Sequence, residues 1–337
     1  MLVQHHISLK PYNTFGIDVS AHNFVSVSSL QDLKSVLANT QTKQPFILGG
    51  GSNMLLTKDI EELVIHVNLK GIEIIEEQND YVLVKGNAGE NWHEFVLWCL
   101  DHNFGGIENL SLIPGNIGTA PIQNIGAYGV ELKDVFENCE AMDIATQELV
   151  TFSKEQCQFG YRESYFKNEA KGHYIITSVT LKLTKGNHKL HTDYGAIMAQ
   201  LAADNISKPS VKDISNAVIA IRESKLPNPK KIGNSGSFFK NPVISKQQFE
   251  QLKEQFPNIP SYVVSQDAIK VPAGWLIETA GFKGKAFGSY GVHKQQALVL
   301  VNYGGAKGED IFELAKLIQD TVKRLFGISI EMEVNII

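Results

Sequence analysis

The sequence predicts an α+β fold with several separate sheets, and three changes of pattern lead to this class. Strand-like and helix-like segments alternate over residues 1–68, strand patterns dominate residues 69–205, and helical patterns dominate residues 211–328. The chain has 337 residues, which is longer than one average domain, so two or three domains are expected. We expect the domain boundaries at these changes of pattern.

The first segment reads as strand, helix and further strands. Its helix is predicted over 28–39, because apolar residues recur at helical spacing behind a serine that can cap the helix. The predicted strands of this segment are 23–27, 46–48, 54–56 and 63–68.

The second segment is rich in strands, and the third in helices. The middle segment has predicted strands at 72–77, 81–89, 139–144, 148–152 and 174–184 around one helix, 90–103. Helices are predicted at 211–225, 246–256 and 309–326. Gly327 is placed to end the last of these helices. Alternation in the final residues predicts a closing strand, 329–337.

Composition excludes several classes of function. The hydrophobic fraction is 43% and the charged fraction 20%, as in an ordinary globular protein. No apolar run approaches the roughly 18 residues of a membrane helix, and the N-terminus lacks a signal-peptide pattern, so we expect a cytoplasmic protein without a membrane span. The net charge is −5 with dispersed Lys and Arg, which argues against nucleic-acid binding. Three widely spaced cysteines, without C-x-x-C or H-E-x-x-H, predict reduced thiols and no metal site.

Two glycine-rich loops are candidates for ligand binding. The stretch "ILGGGSN" (47–53) joins two predicted strands, and consecutive glycines can present backbone N–H groups to a phosphate. A plain hairpin turn explains it equally well. The stretch "IPGNIGTAPIQNIGAYGVEL" (113–132) is unusually long for a loop without a role, and it mixes amide and apolar side chains. It suits a large ligand with a flat ring and a polar tail, with a self-packed loop as the alternative.

A third stretch, "GNSGSFFKNP" (233–242), places Ser237 between a glycine and two phenylalanines. Gly, Ser and Asn are typical of turns, and Ser often caps a turn or helix, so a structural role is the default. A hydroxyl at the edge of an apolar wall can also take part in chemistry. The residues of this stretch leave both interpretations open.

The ordered set of motifs resembles one enzyme family. Besides the stretches above, the chain contains "NTFGI" (13–17), "CQFGYRESYFK" (157–167), "KLPNP" (225–229), "AGWLIETAGFKG" (273–284), "VHKQQALVLVN" (292–302) and "IEMEV" (330–334). In this order they resemble the UDP-N-acetylenolpyruvoylglucosamine reductase (MurB) family, in its longer, type I form. The resemblance extends over nearly the whole chain.

The resemblance implies an FAD-binding fold of the vanillyl-alcohol-oxidase (PCMH) type, made of two α+β subdomains, with a third, substrate-binding α+β domain. Strand 329–337 would join the first subdomain. FAD would bind noncovalently, NADPH would be the co-substrate in the same pocket as the UDP-sugar, and the enzyme would be a monomer. The implied cofactor-binding residues are Gly49, Gly50, Gly51, Ser52, Asn53, Asn116, Gly118, Thr119, Gln123, Asn124 and Gly126.

The family reaction reduces the enolpyruvyl ether of a UDP-sugar to a lactyl ether, so the site needs a cation near the carboxylate and a proton donor. The resemblance assigns the cation to Arg162, although an ion pair with Glu163 would explain this residue equally. It assigns the acid of the last strand to Glu333, where alternation alone does not choose between Glu331 and Glu333. Ser237 is the expected proton donor.

Four further residues are implied in substrate binding. Tyr194 matches the substrate-contacting tyrosine of the family, within surroundings that depart from the family pattern at His191 and Asp193. Lys225 and Asn241 match positions that hold the diphosphate, and Arg222 is a weaker companion. The end of a helix also favours cations such as these, which is the structural alternative.

Two other functions compete with this one. A different FAD-dependent oxidase or dehydrogenase of the same fold would bind the flavin but would not be oxidised by the enolpyruvyl nucleotide. A non-catalytic binder of nucleotide-sugars would purify without colour. The joint occurrence of Arg162, Ser237 and Glu333 in matching motifs favours the reductase.

Overall fold

The computed structural model describes residues 2–39 and 44–337, and it confirms the α+β class. The described residues divide into two compact units. Unit 1 comprises residues within 1–7, 21–50 and 60–224, and unit 2 comprises 8–20, 51–59 and 225–337. No helix among the described residues combines the length and the apolar character needed to cross a membrane.

The secondary structure of the described residues is as follows. The strands of the first half are β1 (Gln4–Ser8), β2 (Ser20–Val27), β3 (Phe46–Leu48), β4 (Met54–Leu55), β5 (Ile60–Val67), β6 (Ile72–Glu77), β7 (Tyr81–Asn87), β8 (Phe104–Gly105), β9 (Gly126–Ala127), β10 (Val130–Glu131), β11 (Phe136–Asp143) and β12 (Leu149–Ser153). Those of the second half are β13 (Tyr174–Lys185), β14 (Val243–Ser245), β15 (Tyr262–Val263), β16 (Ala268–Lys270), β17 (Ala286–Phe287), β18 (Tyr290–Val292), β19 (Leu300–Asn302) and β20 (Asn335–Ile336). The helices are α1 (Leu30–Asn39), α2 (Trp92–Asp101), α3 (Ile197–Ala203), α4 (Val211–Lys225), α5 (Lys246–Gln255), α6 (Ala273–Thr279) and α7 (Gly308–Phe326).

Unit 1 contains two main sheets. The first has the order β1-β2-β5-β3, with β5 parallel to both β2 and β3. The second is antiparallel with the order β12-β11-β13-β7-β6, and β8 pairs with β13. Helix α2 buries Trp92, Phe95 and Cys99 in the core beside this sheet. A separate cluster joins α3 and α4 through residues such as Leu201 and Val218.

Unit 2 contains three small sheets and the longest helix. Their orders are β14-β16-β15, β17-β18-β19 and β20-β4. Helix α7 buries a stripe of apolar residues and ends at Gly327, whose φ of 66° is the left-handed cap that the sequence predicted. Phe238 and Phe239 are fully buried, and the ring of Phe238 packs edge-on to Phe15 at 6.2 Å.

The structure departs from the predicted elements in two helices, in the last strand and in short strands that were not predicted, such as β1 and β14–β19. Helices α3 and α6 were not predicted, because each has only seven residues and neither has a side-chain cap at its first turn. The predicted strand 329–337 is wrong in extent: only Asn335–Ile336 pairs as a strand, with Met54–Leu55, and Met332 forms one isolated bridge with Phe239. The alternating pattern of this segment was correct, but few neighbouring strands are present to pair with it.

The main sheets of the first two predicted domains both lie in unit 1. The four-stranded sheet lies within 1–68 and the six-stranded sheet within 69–205, and both belong to unit 1. Helix α4 as far as Ser224 also belongs to unit 1, whereas the sequence placed it in the third segment. The division into three domains stays a prediction.

Candidate active site

The two predicted glycine-rich loops meet in unit 1. A Cβ atom added at Gly49 would lie 2.6 Å from Cγ2 of Thr119. A Cβ atom added at Gly50 would lie 2.9 Å from Oδ1 of Asn116 and 2.9 Å from Cα of Gly115. The contact at Gly50 includes backbone, so glycine is required there for the loops to approach each other, whereas a side chain at Gly49 would displace the methyl group of Thr119.

The backbone of the first loop fits the diphosphate of an FAD. Within 2–39 and 44–337, the N–H groups of Gly49 and Gly50 donate to no protein acceptor. Successive N–H groups of this kind form an anion-binding concavity. The expected cofactor carries two phosphates, so these two residues suit that part of it.

The rest of the first loop belongs to unit 2. Gly51 has a φ of +58°, and an added Cβ atom would lie 1.9 Å from the carbonyl oxygen of Tyr12. Ser52 is half-buried. The side-chain amide of Asn53 donates to the carbonyl oxygen of Glu333 at 3.2 Å. One predicted cofactor residue therefore contacts the backbone of the predicted catalytic acid.

The second loop is held against its neighbours by its own polar groups. The N–H of Gly118 donates to the carbonyl of Ala88 at 3.0 Å, and an added Cβ atom at Gly118 would lie 2.5 Å from Cβ of Ala88. The hydroxyl of Thr119 donates to the carbonyl of Asn116 at 2.9 Å. Packing of this kind fixes the loop in one conformation beside Gly49 and Gly50.

Asn124 differs from the direct cofactor contact that the sequence predicted. Its side chain is fully buried and donates to Glu131 at 3.1 Å and to the carbonyl of Gly160 at 3.0 Å. Its Oδ1 accepts the N–H of Lys133 at 3.0 Å. The amide of Asn124 thus stabilises the loop, while the half-buried side chain of Gln123 remains a predicted ligand contact.

Arg162 lies at a strained turn against the same loop. Its φ of 58° is rare for a residue with a side chain, and such strain is typical of functional sites. Its Nη2 donates to the carbonyl of Gly126 at 2.8 Å, and Nη1 donates to that of Asn124 at 3.5 Å. The guanidinium also lies over the ring of Tyr161, at 5.6 Å from the ring centre. These contacts fix the position of the positive charge.

Arg222 is a second guanidinium in the same unit. Among the described residues, its buried Nε has no hydrogen-bond partner. Burial lowers the pKa of Arg222, Tyr128 acts in the opposite direction, and Arg162 lowers the pKa further. The buried Nε of Arg222, which lacks a partner among the described residues, favours an anionic ligand.

Tyr128 was not predicted from the sequence, and it joins Tyr194 beside Arg222. The two tyrosine rings pack edge-on, with centres 6.4 Å apart and an angle of 88° between them. Tyr194 is 57% exposed, whereas burial raises the pKa of Tyr128, opposed by Arg222. Only the Tyr-Gly pair at 128–129, in the middle of the second loop, pointed to this position in the sequence.

His93 is another neighbour of Arg222 that the sequence did not single out. Its Nδ1 lies 3.0 Å from the backbone N of Leu112 and accepts that hydrogen, so the ring hydrogen is on Nε2. Burial lowers the pKa of His93, Glu94 opposes this, and Arg222 adds to the lowering. A neutral histidine here leaves the positive charge of the site to the arginines.

In unit 2, the turn before Ser237 is stabilised by other residues. Oδ1 of Asn234 accepts the N–H of Gly236 at 3.0 Å, and the hydroxyl of Ser235 donates to the carbonyl of Met54 at 3.2 Å. Ser237 is exposed, and its hydroxyl makes no hydrogen bond within the described residues. The capping function that explained Ser237 as a structural residue is thus performed by Asn234 and Ser235.

The two candidate acids, Glu331 and Glu333, form backbone hydrogen bonds with the residues that follow Ser237. The N–H of Glu333 donates to the carbonyl of Phe238 at 2.8 Å, and the N–H of Lys240 donates to that of Glu331 at 2.9 Å. The carboxylate of Glu331 is exposed and lies 3.5 Å from the ammonium of Lys240. Glu333 is half-buried. The two acids therefore have different surroundings, which the sequence pattern did not distinguish.

The remaining predicted substrate residues are Lys225 and Asn241. Oδ1 of Asn241 accepts the N–H of Ala273 at 2.9 Å, at the first residue of α6. Its side chain thus has a structural function as well as the predicted one. Lys225 is exposed at the last residue of α4. Among the described residues, no group of three His, Cys, Asp or Glu side chains is placed to hold a metal ion.

Two family models match the chain. The C-terminal domain of UDP-N-acetylenolpyruvoylglucosamine reductase matches residues 228–337. The FAD binding domain matches residues 21–153, in agreement with the FAD-binding fold expected from the sequence.

Whole-chain comparisons agree with these matches. The chain is 61% identical over 337 residues to the UDP-N-acetylenolpyruvoylglucosamine reductase of Flavobacterium johnsoniae, covering 100% of both chains. It is 46% identical to the enzyme of that name from Pseudomonas aeruginosa, covering 99% of this chain and 98% of the relative. The crystal structure of the UDP-N-acetylenolpyruvylglucosamine reductase from Thermus caldophilus has the same fold, with a TM-score of 0.69, 23% identity, and coverage of 100% and 99%.

Proposed function

The chain belongs to the UDP-N-acetylenolpyruvoylglucosamine reductase family, and from this premise we propose how its own residues perform the reaction. The enzyme is an FAD-dependent oxidoreductase of peptidoglycan precursor synthesis. It reduces UDP-N-acetylenolpyruvoylglucosamine to UDP-N-acetylmuramate, with NADPH as the reductant.

The observation that carries the proposal is the pair of cations in unit 1. Arg162 is fixed by two backbone carbonyls, and the buried Nε of Arg222 has no hydrogen-bond partner among the described residues. A buried guanidinium with an unpaired nitrogen is stabilised by an anion. The substrate supplies a carboxylate on the enolpyruvyl group and a diphosphate in the nucleotide.

The chemistry divides between cofactor and protein. When bound, FAD would supply the hydride-transfer chemistry between NADPH and the enolpyruvyl double bond of the substrate. Gly49 and Gly50 would hold the diphosphate of FAD with their N–H groups, and the loop that contains Asn116, Gly118 and Thr119 supports them. Their function is to bind and orient the flavin.

Arg162 binds the carboxylate of the substrate. Addition of a hydride to the terminal carbon leaves negative charge on the neighbouring carbon and in the attached carboxylate. A fixed guanidinium stabilises that charge more in the transition state than in the ground state. The hydrogen bonds of Arg162 to the carbonyls of Gly126 and Asn124 keep its guanidinium in place.

Ser237 donates the proton that completes the reduction. Its Oγ–H bond breaks as a C–H bond forms at the carbon that carries the negative charge, and the methine of the lactyl ether results. Its hydroxyl is exposed and makes no structural hydrogen bond within the described residues. Glu333 lies at the reactive centre, where a carboxyl group can return a proton to the serine oxygen.

The nucleotide portion of the substrate is bound by four side chains, those of Tyr194, Lys225, Asn241 and Arg222. The exposed ammonium of Lys225 suits phosphate oxygens, since it makes no ion pair among the described residues. The exposed ring of Tyr194 offers a flat apolar face and a hydroxyl. The buried guanidinium of Arg222 suits either anionic part of the substrate.

We infer a cytoplasmic monomer, because the nucleotide-sugar and NADPH are cytoplasmic metabolites and unit 1 alone carries both arginines. NADPH is proposed to use the pocket of the UDP-sugar in turn. Light scattering after size-exclusion chromatography measures the oligomeric state, and a dimer mass would contradict the inference.

The decisive experiment follows the two half-reactions. Purified enzyme should show a flavin spectrum, lose its visible absorbance on anaerobic addition of NADPH, and recover it on addition of the enolpyruvyl nucleotide, with UDP-N-acetylmuramate as the product. Colourless protein would favour a nucleotide-sugar binder. Coloured protein that is reoxidised by oxygen or an alcohol-derived substrate, and not by the enolpyruvyl nucleotide, would favour a different flavoenzyme.

A further inference from the structure

Asn109 is a buried polar residue without a function in the reaction described above. It lies in a short 3-10 helix, Glu108–Leu110, and is 1% exposed. Its side-chain nitrogen donates one hydrogen to the carbonyl of Tyr128 and the other to the carbonyl of His191, both at 2.9 Å. One amide therefore joins two segments that are 63 residues apart in sequence, from 128 to 191.

The first of these segments is a strained turn. Ala127 pairs with Val130, so Tyr128 and Gly129 form a two-residue hairpin loop between β9 and β10. Their φ values are 51° and 82°, as in a type I′ turn. This turn favours Asn or Gly at its first position, and a tyrosine there costs about 1–2 kcal/mol. A tyrosine kept at this position despite the strain indicates a functional demand on its side chain.

The second segment carries Tyr194, three residues after His191. The two segments contact each other through the tyrosines, whose rings pack edge-on at 6.4 Å. A Cβ atom added at Gly129 would lie 3.4 Å from Cβ of Tyr194, and one added at Gly195 would lie 3.8 Å from the ring of Tyr128. The contact is thus reciprocal, and the Asn109 amide holds both backbones that form it.

We propose that Asn109 is a positioning residue for the nucleotide-sugar: its two hydrogen bonds set the Tyr128–Tyr194 pair in the conformation that binds substrate. This inference rests on the proposed function and adds to it a residue that touches no ligand. Asn109 Oδ1 is buried and has no partner among the described residues. A buried acceptor without a partner opposes stability, so the two donated bonds, rather than stability alone, account for an asparagine here.

The test compares Asn109→Ala with Ser111→Ala. Ser111 is a matched control, because it is fully buried two residues away and its hydroxyl bonds Glu108 and Ser215, which lie outside both tyrosine segments. Each variant removes buried hydrogen bonds and should melt at a lower temperature. Only Asn109→Ala should raise KM for the enolpyruvyl nucleotide, by about tenfold or more, with kcat within about threefold and flavin content unchanged.

A double-mutant cycle then separates positioning from general destabilisation. If Asn109 acts through Tyr128, the increase in KM caused by Asn109→Ala should largely disappear in a Tyr128→Ala background. Equal effects in both backgrounds would overturn the proposal, as would equal KM changes in Asn109→Ala and Ser111→Ala. Should Asn109→Ala fail to fold, Tyr128→Asn is the second variant to measure. Asparagine is favoured at this position of the turn, so the melting temperature should rise, while loss of the tyrosine ring should raise KM for the enolpyruvyl nucleotide. A parent enzyme that is not reoxidised by the enolpyruvyl nucleotide would refute the proposed function instead.

Discussion

The backbone N–H of Glu333 donates a 2.8 Å hydrogen bond to the carbonyl of Phe238, the residue directly after Ser237. Phe238 is fully buried, so the bond attaches the C-terminal acid to a fixed point of unit 2. Asn53, from the first glycine-rich loop, contacts the carbonyl of the same glutamate at 3.2 Å. The backbone of Glu333 is therefore held at both its N–H and its carbonyl group, which suits a residue that must act at one atom of a substrate.

Separate substitutions of Glu333 and Glu331 test the assignment of Glu333 as the catalytic acid. Glu333→Gln should lower the rate of flavin reoxidation by substrate by about 10²-fold, because the neutral amide is isosteric but does not return a proton. Glu331→Gln is the matched control, since it changes an exposed carboxylate that pairs with Lys240 at 3.5 Å, and it should alter the rate less than about threefold. Stopped-flow absorbance measures both. A larger defect in Glu331→Gln would show that the wrong acid has been chosen.

Gly50→Val tests the cofactor loops. The added Cβ atom would meet Asn116 and Gly115 at 2.9 Å, which separates the two loops and displaces the N–H groups that hold the diphosphate. The variant should purify with little or no flavin. Flavin content is measured on the folded protein as the ratio of absorbance at about 450 nm to that at about 280 nm.

Gly291→Val is the control for crowding alone. Its added Cβ atom would lie 2.4 Å from the carbonyl oxygen of Lys285, so it should lose stability to a similar degree. It lies outside the glycine-rich loops, and its folded fraction should retain flavin. Full flavin content in Gly50→Val would contradict the assigned function of this loop.

The sequence predicted those parts of the fold and site that local patterns determine. Helix α4 has the predicted bounds, Val211–Lys225, because its apolar residues recur at helical spacing. The glycine loops were recognisable because consecutive glycines limit what a backbone can do. Gly327 ends α7 as predicted, with a positive φ.

Features that depend on distant partners were not predictable. Nothing in "IENLS" (107–111) shows that Asn109 bonds the carbonyls of Tyr128 and His191, since both partners come from elsewhere in the chain. The edge-on packing of Tyr128 against Tyr194 is likewise a result of tertiary packing. The short pairing of the last strand depends on which neighbours are present, and alternation in the sequence does not contain that information.

Arg162→Lys tests the need for a guanidinium. Lysine keeps the positive charge but loses the planar fork, and it can replace only one of the two bonds to Gly126 and Asn124. Flavin content and reduction by NADPH should persist, while reoxidation by substrate should slow by about 10²–10³-fold. Loss of flavin from this variant would instead assign Arg162 to cofactor binding.

Arg222→Met tests whether this cation is present for the ligand. Its buried Nε has no partner among the described residues, so an apolar side chain of similar length should raise the free energy of unfolding by on the order of 1 kcal/mol. KM for the nucleotide-sugar should rise at least about tenfold. Lys225→Met, at an exposed position of the same helix, should leave stability within about 0.5 kcal/mol. A less stable Arg222→Met with unchanged KM would favour a purely structural arginine.

Ser237 and Ser235 form a matched pair for the last prediction, because they lie two residues apart and differ in their hydrogen bonds. The hydroxyl of Ser235 donates to the carbonyl of Met54 at 3.2 Å, whereas that of Ser237 is exposed and has no partner among the described residues. Removal of a buried hydrogen bond costs about 1 kcal/mol, while removal of a positioned acid costs about 10²–10⁴-fold in rate. The two serines should therefore respond in opposite ways.

Ser237→Ala should melt at the parent temperature and be reduced by NADPH at a nearly normal rate, and its reduced flavin should be reoxidised by the enolpyruvyl nucleotide at least about a hundredfold more slowly. Ser237→Cys should recover part of that rate, because a thiol can also donate a proton to the anionic carbon. Ser235→Ala should melt at a lower temperature with both half-reactions preserved. Thermal melting and anaerobic stopped-flow absorbance separate these outcomes. If Ser237→Ala turned over at the parent rate, the proton would have to come from another donor, and Ser237 would be an exposed turn residue only.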